Sequence, residues 1–166
     1  MSLTGKPSLT TAAPFINDGF WPDLSLGDLM NRYRIPAEYA DETIQWGLTL
    51  AVTNVNLDLE AVKTQIQALG HATLNAYNTA APKQLNGVYV TVIRYQQAVF
   101  SLAKAFLLQQ FNSLNRKPEA ENAAKEANET EQWWRDQSQQ AVAELFALIL
   151  PNQPVSANAN VHVALI

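Results

Sequence analysis

A mainly α-helical bundle with long antiparallel helices is the fold this sequence predicts, and three observations carry it. Apolar residues recur at three- and four-residue spacing through 36–69, 93–115 and the second half of 118–150. Pro36 and Pro118 stand where helices open and are followed by acids, while Gly70 and Pro151 stand where helices stop. Strand-like alternation is confined to a short C-terminal tail. With 166 residues the chain has room for one hydrophobic core. The organisation expected is a flexible arm at 1–14, a helical domain at 15–150, and a linker with tail at 151–166.

The arm is rich in Ser, Thr, Ala, Gly and Pro and shows no period. Phe15 to Pro22 then form an aromatic turn, with Asn17-Asp18-Gly19 supplying the turn chemistry. Ser25 and Asp28 fit the cap of a short helix running to about Tyr33. The next helix is expected to open at Pro36. Its seam is Ile44, Leu48, Ala51, Val55, Leu59, Val62, Ile66 and Leu69, and Trp46, Leu50 and Leu57 are expected to widen the buried face. Continuous to Leu69, it measures about 50 Å at about 1.5 Å per residue. Residues 71–87 read as a loop. Val88–Val92 suits either a strand or a helix start, and from Ile93 the helical pattern is clear. The stripes Val92, Tyr95, Val99, Leu102, Phe106 and Phe100, Ala103, Leu107, Phe111, Leu114 mark a central helix touched on two sides. In the last helix the polar first half projects or lies on the surface, and Trp134, Ala141, Leu145 and Leu148 pack. The core is therefore expected around Leu48, Val55, Val62, Val99, Leu102, Phe106, Trp134 and Leu145.

Composition narrows the function. Charged residues make up only 16% of the chain, which leaves a polar, weakly charged surface suited to contact with protein. A net charge of −4 disfavours a general nucleic-acid or anionic-membrane binder, since such proteins carry a basic stripe against phosphate. Without cysteine there are no disulfides or thiolate metal sites. No signal peptide is apparent, and no apolar run approaches the roughly eighteen residues of a membrane span.

Catalytic patterns are missing too. No phosphate-binding glycine loop, paired-histidine zinc motif or nucleophile elbow occurs, and His71 and His162 are the only histidines. Asp41 and Glu42 read as first-turn charges facing the helix dipole. Glu119, Glu121, Glu126, Glu129 and Glu131 read as a solvated face. The reading is therefore no enzyme, no cofactor and no metal. A helix-turn-helix over 25–50 fails because its second helix would aim Glu38, Asp41 and Glu42 at the major groove. Trp133 and Trp134 are adjacent and cannot share a pocket. One enters the core, and the other is free to anchor a partner.

Several stretches resemble one family. Asn17-Asp18-Gly19-Phe20-Trp21-Pro22-Asp23 is similar to the opening of the folded part of the GPL family, the head completion/stabilisation proteins of peduovirus-type temperate tailed phages. Arg94-Tyr95-Gln96-Gln97-Ala98-Val99-Phe100-Ser101-Leu102-Ala103-Lys104-Ala105 resembles its Arg-Tyr-x-x-Ala-Val-x-x-x-Ala-Lys-Ala helix. Trp134-Arg135-Asp136, with Ala141 and Leu145, resembles its last helix, and Leu165-Ile166 its end. The likeness runs in order from about Phe15 to the C-terminus. The arm, the loop at 71–87 and the polar run at 118–132 depart from it.

The resemblance implies a structural virion protein at the head–tail junction, assembled in the host cytoplasm after DNA packaging. It implies a homo-oligomeric ring that contacts the portal protein and tail-side connector proteins. DNA passes beside such a ring without being read, and a neutral or acidic lumen does not grip the duplex. The competing reading is a generic all-helical interaction module or dimeric regulator using the Ile44–Leu69 seam between chains. Phe20, Trp21 and Pro22 serve either as a lid on the bundle or as portal contacts. Arg94 and Arg135 are expected to pair with Asp18, Asp23 or Asp136. Trp133, Arg135, Val161, Val163, Leu165 and Ile166 complete the candidate contact residues. Val161–Ile166 alternates like a strand, and a lone strand needs a partner. The alternatives are Val88–Val92 of the same chain or an edge on a neighbour, and the neighbour is favoured because the linker reaches outward.

Overall fold

The computed structural model describes residues 14–36, 39–114 and 130–150, with side chains at 111–114 excepted. Its helices are α1 (Leu26–Arg32), α2 (Asp41–Asp58), α3 (Glu60–Ala68), α4 (Leu74–Ala80), α5 (Val90–Leu114) and α6 (Glu131–Ile149). One small hairpin, β1 (Gln84–Leu85) with β2 (Val88–Tyr89), precedes α5. The mainly α class holds. The arm at 1–13 and the segments 115–129 and 151–166 lie outside the described residues.

α5 is the axis of the molecule because its sequence is apolar or small on more than one face. Tyr95, Val99, Ala103 and Leu107 are buried on one stripe, with Ala98 and Ala105 buried beside them. α2 lies antiparallel along the first stripe. Gly47 sits against Leu107 at one end, and Asn56 meets the Tyr95 hydroxyl at the other. A Cβ on Gly47 would stand 3.2 Å from Leu107 Cδ2, so the absent side chain is what lets the helices approach. α6 runs antiparallel on another face. Arg135 lies over the Phe106 ring near its start, and Glu144 pairs with Arg94 towards its end. Inside this contact Ser138 Oγ donates to the Ala98 carbonyl at 2.8 Å.

Local signals explain the ends. Ser25 Oγ, Thr73 Oγ1 and Thr130 Oγ1 each accept a hydrogen bond from the backbone N–H three residues on, which caps α1, α4 and α6. α3 stops at Gly70 (φ +90), where His71 N–H donates to the Ile66 carbonyl and Gly70 N–H to the Gln67 carbonyl. Those two bonds are the Schellman pattern, and only glycine adopts that φ without strain.

Four expectations need correction. α2 starts at Asp41, behind the extended residue Ala40, and Pro36 stays outside it. The seam is interrupted at Leu59 (φ −92, ψ 10), so two helices replace the single rod. The loop at 71–87 contains α4 and β1, while Val88–Val92, open to strand or helix start, takes both forms as β2 and the first residues of α5. Of the expected core, Leu48, Val55, Val62, Val99 and Leu145 are fully buried, whereas Leu102 and Phe106 are only partly buried and pack against it, and Trp134 is partly buried against Tyr33.

Candidate protein-interaction surface

The aromatic turn is a strap, and its geometry settles which way its rings face. Phe15 and Leu24 close it with two backbone bonds of 2.8 and 3.0 Å. Within it Asp18 Oδ1 accepts the N–H groups of Phe20 and Trp21, and Asp18 Oδ2 pairs with Lys63 Nζ at 2.8 Å. Burial pushes the Asp18 carboxyl up. The bonds from Lys63, Trp21 and Phe20 outweigh that and hold it below the ordinary carboxylate value. Trp21 stacks flat on Tyr95 with centroids 4.8 Å apart. The Tyr95 hydroxyl donates to Asn56 Oδ1 and accepts from Asn17 Nδ2, both at 2.7 Å, and Asn56 Nδ2 closes the triangle on Asn17 Oδ1 at 3.0 Å. Burial raises the pKa of that hydroxyl, so it stays protonated and able to donate. The Phe20 carbonyl accepts from Leu74 N–H, tying the strap to α4.

Phe20 and Trp21 are therefore buried, and they fasten the strap to its own bundle. As contact residues they are withdrawn from any partner, and Pro22 beside them is half-buried. The arginines pair differently from expectation. Arg94 Nε lies 2.6 Å from Glu144, and Arg135 binds Glu131 at 2.8 Å while covering Phe106. Asp18 takes Lys63 instead. Trp134 packs on Tyr33, and Trp133 stands edge-on to Trp134 with 39% of its surface exposed. Trp133 keeps its place as a candidate anchor. Val161, Val163, Leu165 and Ile166 lie outside the described residues.

A surface that the sequence reading placed inside is found outside. Trp46 is 58% exposed and Leu57 73%, with Leu50 half-buried between them. They stand at i, i+4 and i+11 on the face of α2 that turns away from α5. The adjoining Thr49 and Thr53 hydroxyls donate back to the Gln45 and Thr49 carbonyls, at 2.8 and 2.9 Å. Their polar capacity is thus partly spent within the helix. From Thr43 to Leu57 the helix carries no charge, and Asp41, Glu42 and Asp58 stand only at its ends. The seam is buried within the chain from Ile44 to Ile66, and Leu69, expected to continue it, is exposed, so it is not a strip for pairing two copies. An exposed, uncharged helix face centred on a tryptophan suits contact with another protein. The signal was present in the sequence as that fifteen-residue stretch without a charge.

Among the described residues no cluster of three or more His, Asp or Glu could hold a metal ion, and no helix is long and apolar enough to cross a membrane. The chain matches the family described as phage head completion protein (GPL) over residues 15–149. It is also similar to a probable head completion/stabilization protein of Haemophilus phage HP1, with 29% identity over 99 residues. That alignment covers 60% of this chain and 64% of the relative, so the chain spans under two-thirds of that protein. No solved structure matches.

Proposed function

The chain belongs to the phage head completion protein (GPL) family, and from that premise we propose that it completes and stabilises the DNA-filled head at the portal. The family is one of structural proteins of the phage head. In this reading the chain assembles as a ring on the portal protein, retains the packaged genome and presents a surface to tail-side connector proteins. It reaches that place, in the virion, from the bacterial host cytoplasm. The observation that carries the proposal is the family match across the helical domain, from the strap to the end of α6. Two features of the chain fit it. The uncharged outward face of α2, with Trp46 and Leu57, supplies an apolar patch for a protein partner. The net charge of −4 lets DNA pass close by without being held.

The test is an infection in which the gene is disrupted. Heads should package DNA and then lose it, or fail to join tails, when filled heads and complete particles are counted by electron microscopy. Stable, tail-competent filled heads in its absence would falsify the proposal. A second arm supplies Trp46→Asp in trans. This surface change should leave the helical spectrum and stability of the purified protein unaltered yet fail to restore particles. Full restoration would remove the α2 face from the contact.

A further inference from the structure

The hairpin leaves apolar side chains without cover. Leu85 is 67% exposed and Val88 42%, on strands of two residues each. Two strands that short do not sustain themselves without packing. Beside them lies an open groove with a volume of about 440 Å³, walled by Leu85, Val88, Tyr33, Ile93 and Phe100. One charged residue lines it, Arg32, whose guanidinium is already 3.1 Å from Asp28.

We propose that this groove receives residues 161–165 of the same chain, with Val161, Val163 and Leu165 seated inward. Three observations select that occupant. The first is position. α6 ends at the same end of the bundle as the hairpin. Glu144 and the groove residue Gln97 are joined through a single guanidinium, that of Arg94, at 2.6 and 2.7 Å. β2 leads directly into α5, and Val90 N–H closes on the Lys83 carbonyl at 2.9 Å. The second is reach. Residues 151–160 separate Leu150 from Val161, and ten residues extended span about 30 Å, against a helix diameter of roughly 10 Å to be rounded. The third is charge. Residues 151–165 contain no Asp, Glu, Lys or Arg, so seating 161–165 strands no charged side chain. Residues 115–129 hold Arg116, Lys117, Glu119, Glu121, Lys125, Glu126 and Glu129, and so fit the groove poorly. In an extended segment Val161, Val163 and Leu165 share one face, which matches an apolar wall on one side and solvent on the other. A short tether holds its own segment at roughly millimolar effective concentration, which favours this chain over a second copy. The proposal does not depend on the head-completion reading.

The chain has no cysteine, so engineered pairs report without background. Leu85→Cys is combined in the full-length protein with a cysteine at each position from 161 to 165 in turn, and disulfide formation is followed under mild oxidation. Both partners are surface or tail positions, so folding is preserved. Leu57→Cys with Val163→Cys is the control, since Leu57 is exposed near the same end but on the outward face of α2. The expected result is disulfides within one chain, fast at 161, 163 and 165 and slow at 162 and 164, with the best pair roughly tenfold faster than the control. Rates equal to the control with no alternation, or disulfides that join two chains, overturn the proposal.

Discussion

The Tyr95 triangle gives a sharp test of how the strap is held. Tyr95→Phe removes one oxygen and keeps the ring, so the stack on Trp21 and the volume of the core are unchanged. Two hydrogen bonds disappear, the one donated to Asn56 Oδ1 and the one accepted from Asn17 Nδ2. Asn17 Nδ2 keeps the Pro22 carbonyl at 3.1 Å, so it is not wholly stranded. Asn56 Oδ1 loses its hydroxyl partner in a part-buried setting. Leaving one such acceptor unsatisfied costs about 1–3 kcal/mol. A value near 2 kcal/mol corresponds to a fall in Tm of about 4–8 °C for a chain of this size. Urea unfolding followed by circular dichroism measures the loss, and m should not change, because the folded state remains as compact. Tyr95→Phe combined with Asn56→Ala should cost clearly less than the sum of the two single changes, since both break one network. A loss under about 0.5 kcal/mol, or strict additivity, would show that the triangle does not fasten the strap.

Three further changes bear on packing and charge. Leu48→Ala, at a fully buried seam position, should cost about 2–5 kcal/mol in the same unfolding assay, and Leu102→Ala, half-buried on α5, clearly less. Equal losses would mean that Leu102 on α5 is as deeply packed as the α2 seam, against the burial assigned to it. Asp18→Asn tests the carboxylate beneath the strap. Its folded pKa is depressed, so its contribution is present above the unfolded value of about 3.9 and lost as pH falls through the folded pKa. The wild-type chain should therefore be the more stable at neutral pH, with the gap to Asp18→Asn closing on acidification. A gap that stays constant down to low pH would refute the role given to Asp18.

The strap and hairpin show where sequence reasoning works and where it fails. Asn17-Asp18-Gly19 announces a turn because its residue types bond to nearby backbone, a property that needs no distant partner. The direction of Phe20 and Trp21 was open, since a buried lid and an exposed anchor have the same composition. Asn86-Gly87 is a strong two-residue turn signal, and both residues do take positive φ. The flanking strands, two residues each, are too short to show the alternation that would mark a hairpin. α4 was missed for a similar reason, as seven residues offer barely two turns of period.

What the sequence determined by itself is what depends on neighbours along the chain. The cap at Ser25, the stop at Gly70, each step of the seam from Ile44 to Ile66 and each stretch that carries the family likeness rest on residues within a few positions of each other. The mainly helical class follows from these. The tertiary structure decided which apolar residues the seam leaves outside. Trp46 and Leu57 continue the helical spacing as well as Leu48 and Val55 do, and periodicity cannot rank two adjacent stripes. α5 can cover only one side of α2. It takes the side where Gly47 permits close approach and leaves Trp46 to solvent. Long-range partners were likewise decided in three dimensions. Lys63 for Asp18, Glu144 for Arg94 and Asn56 for Tyr95 are pairings set by how helices pack, which no local rule encodes.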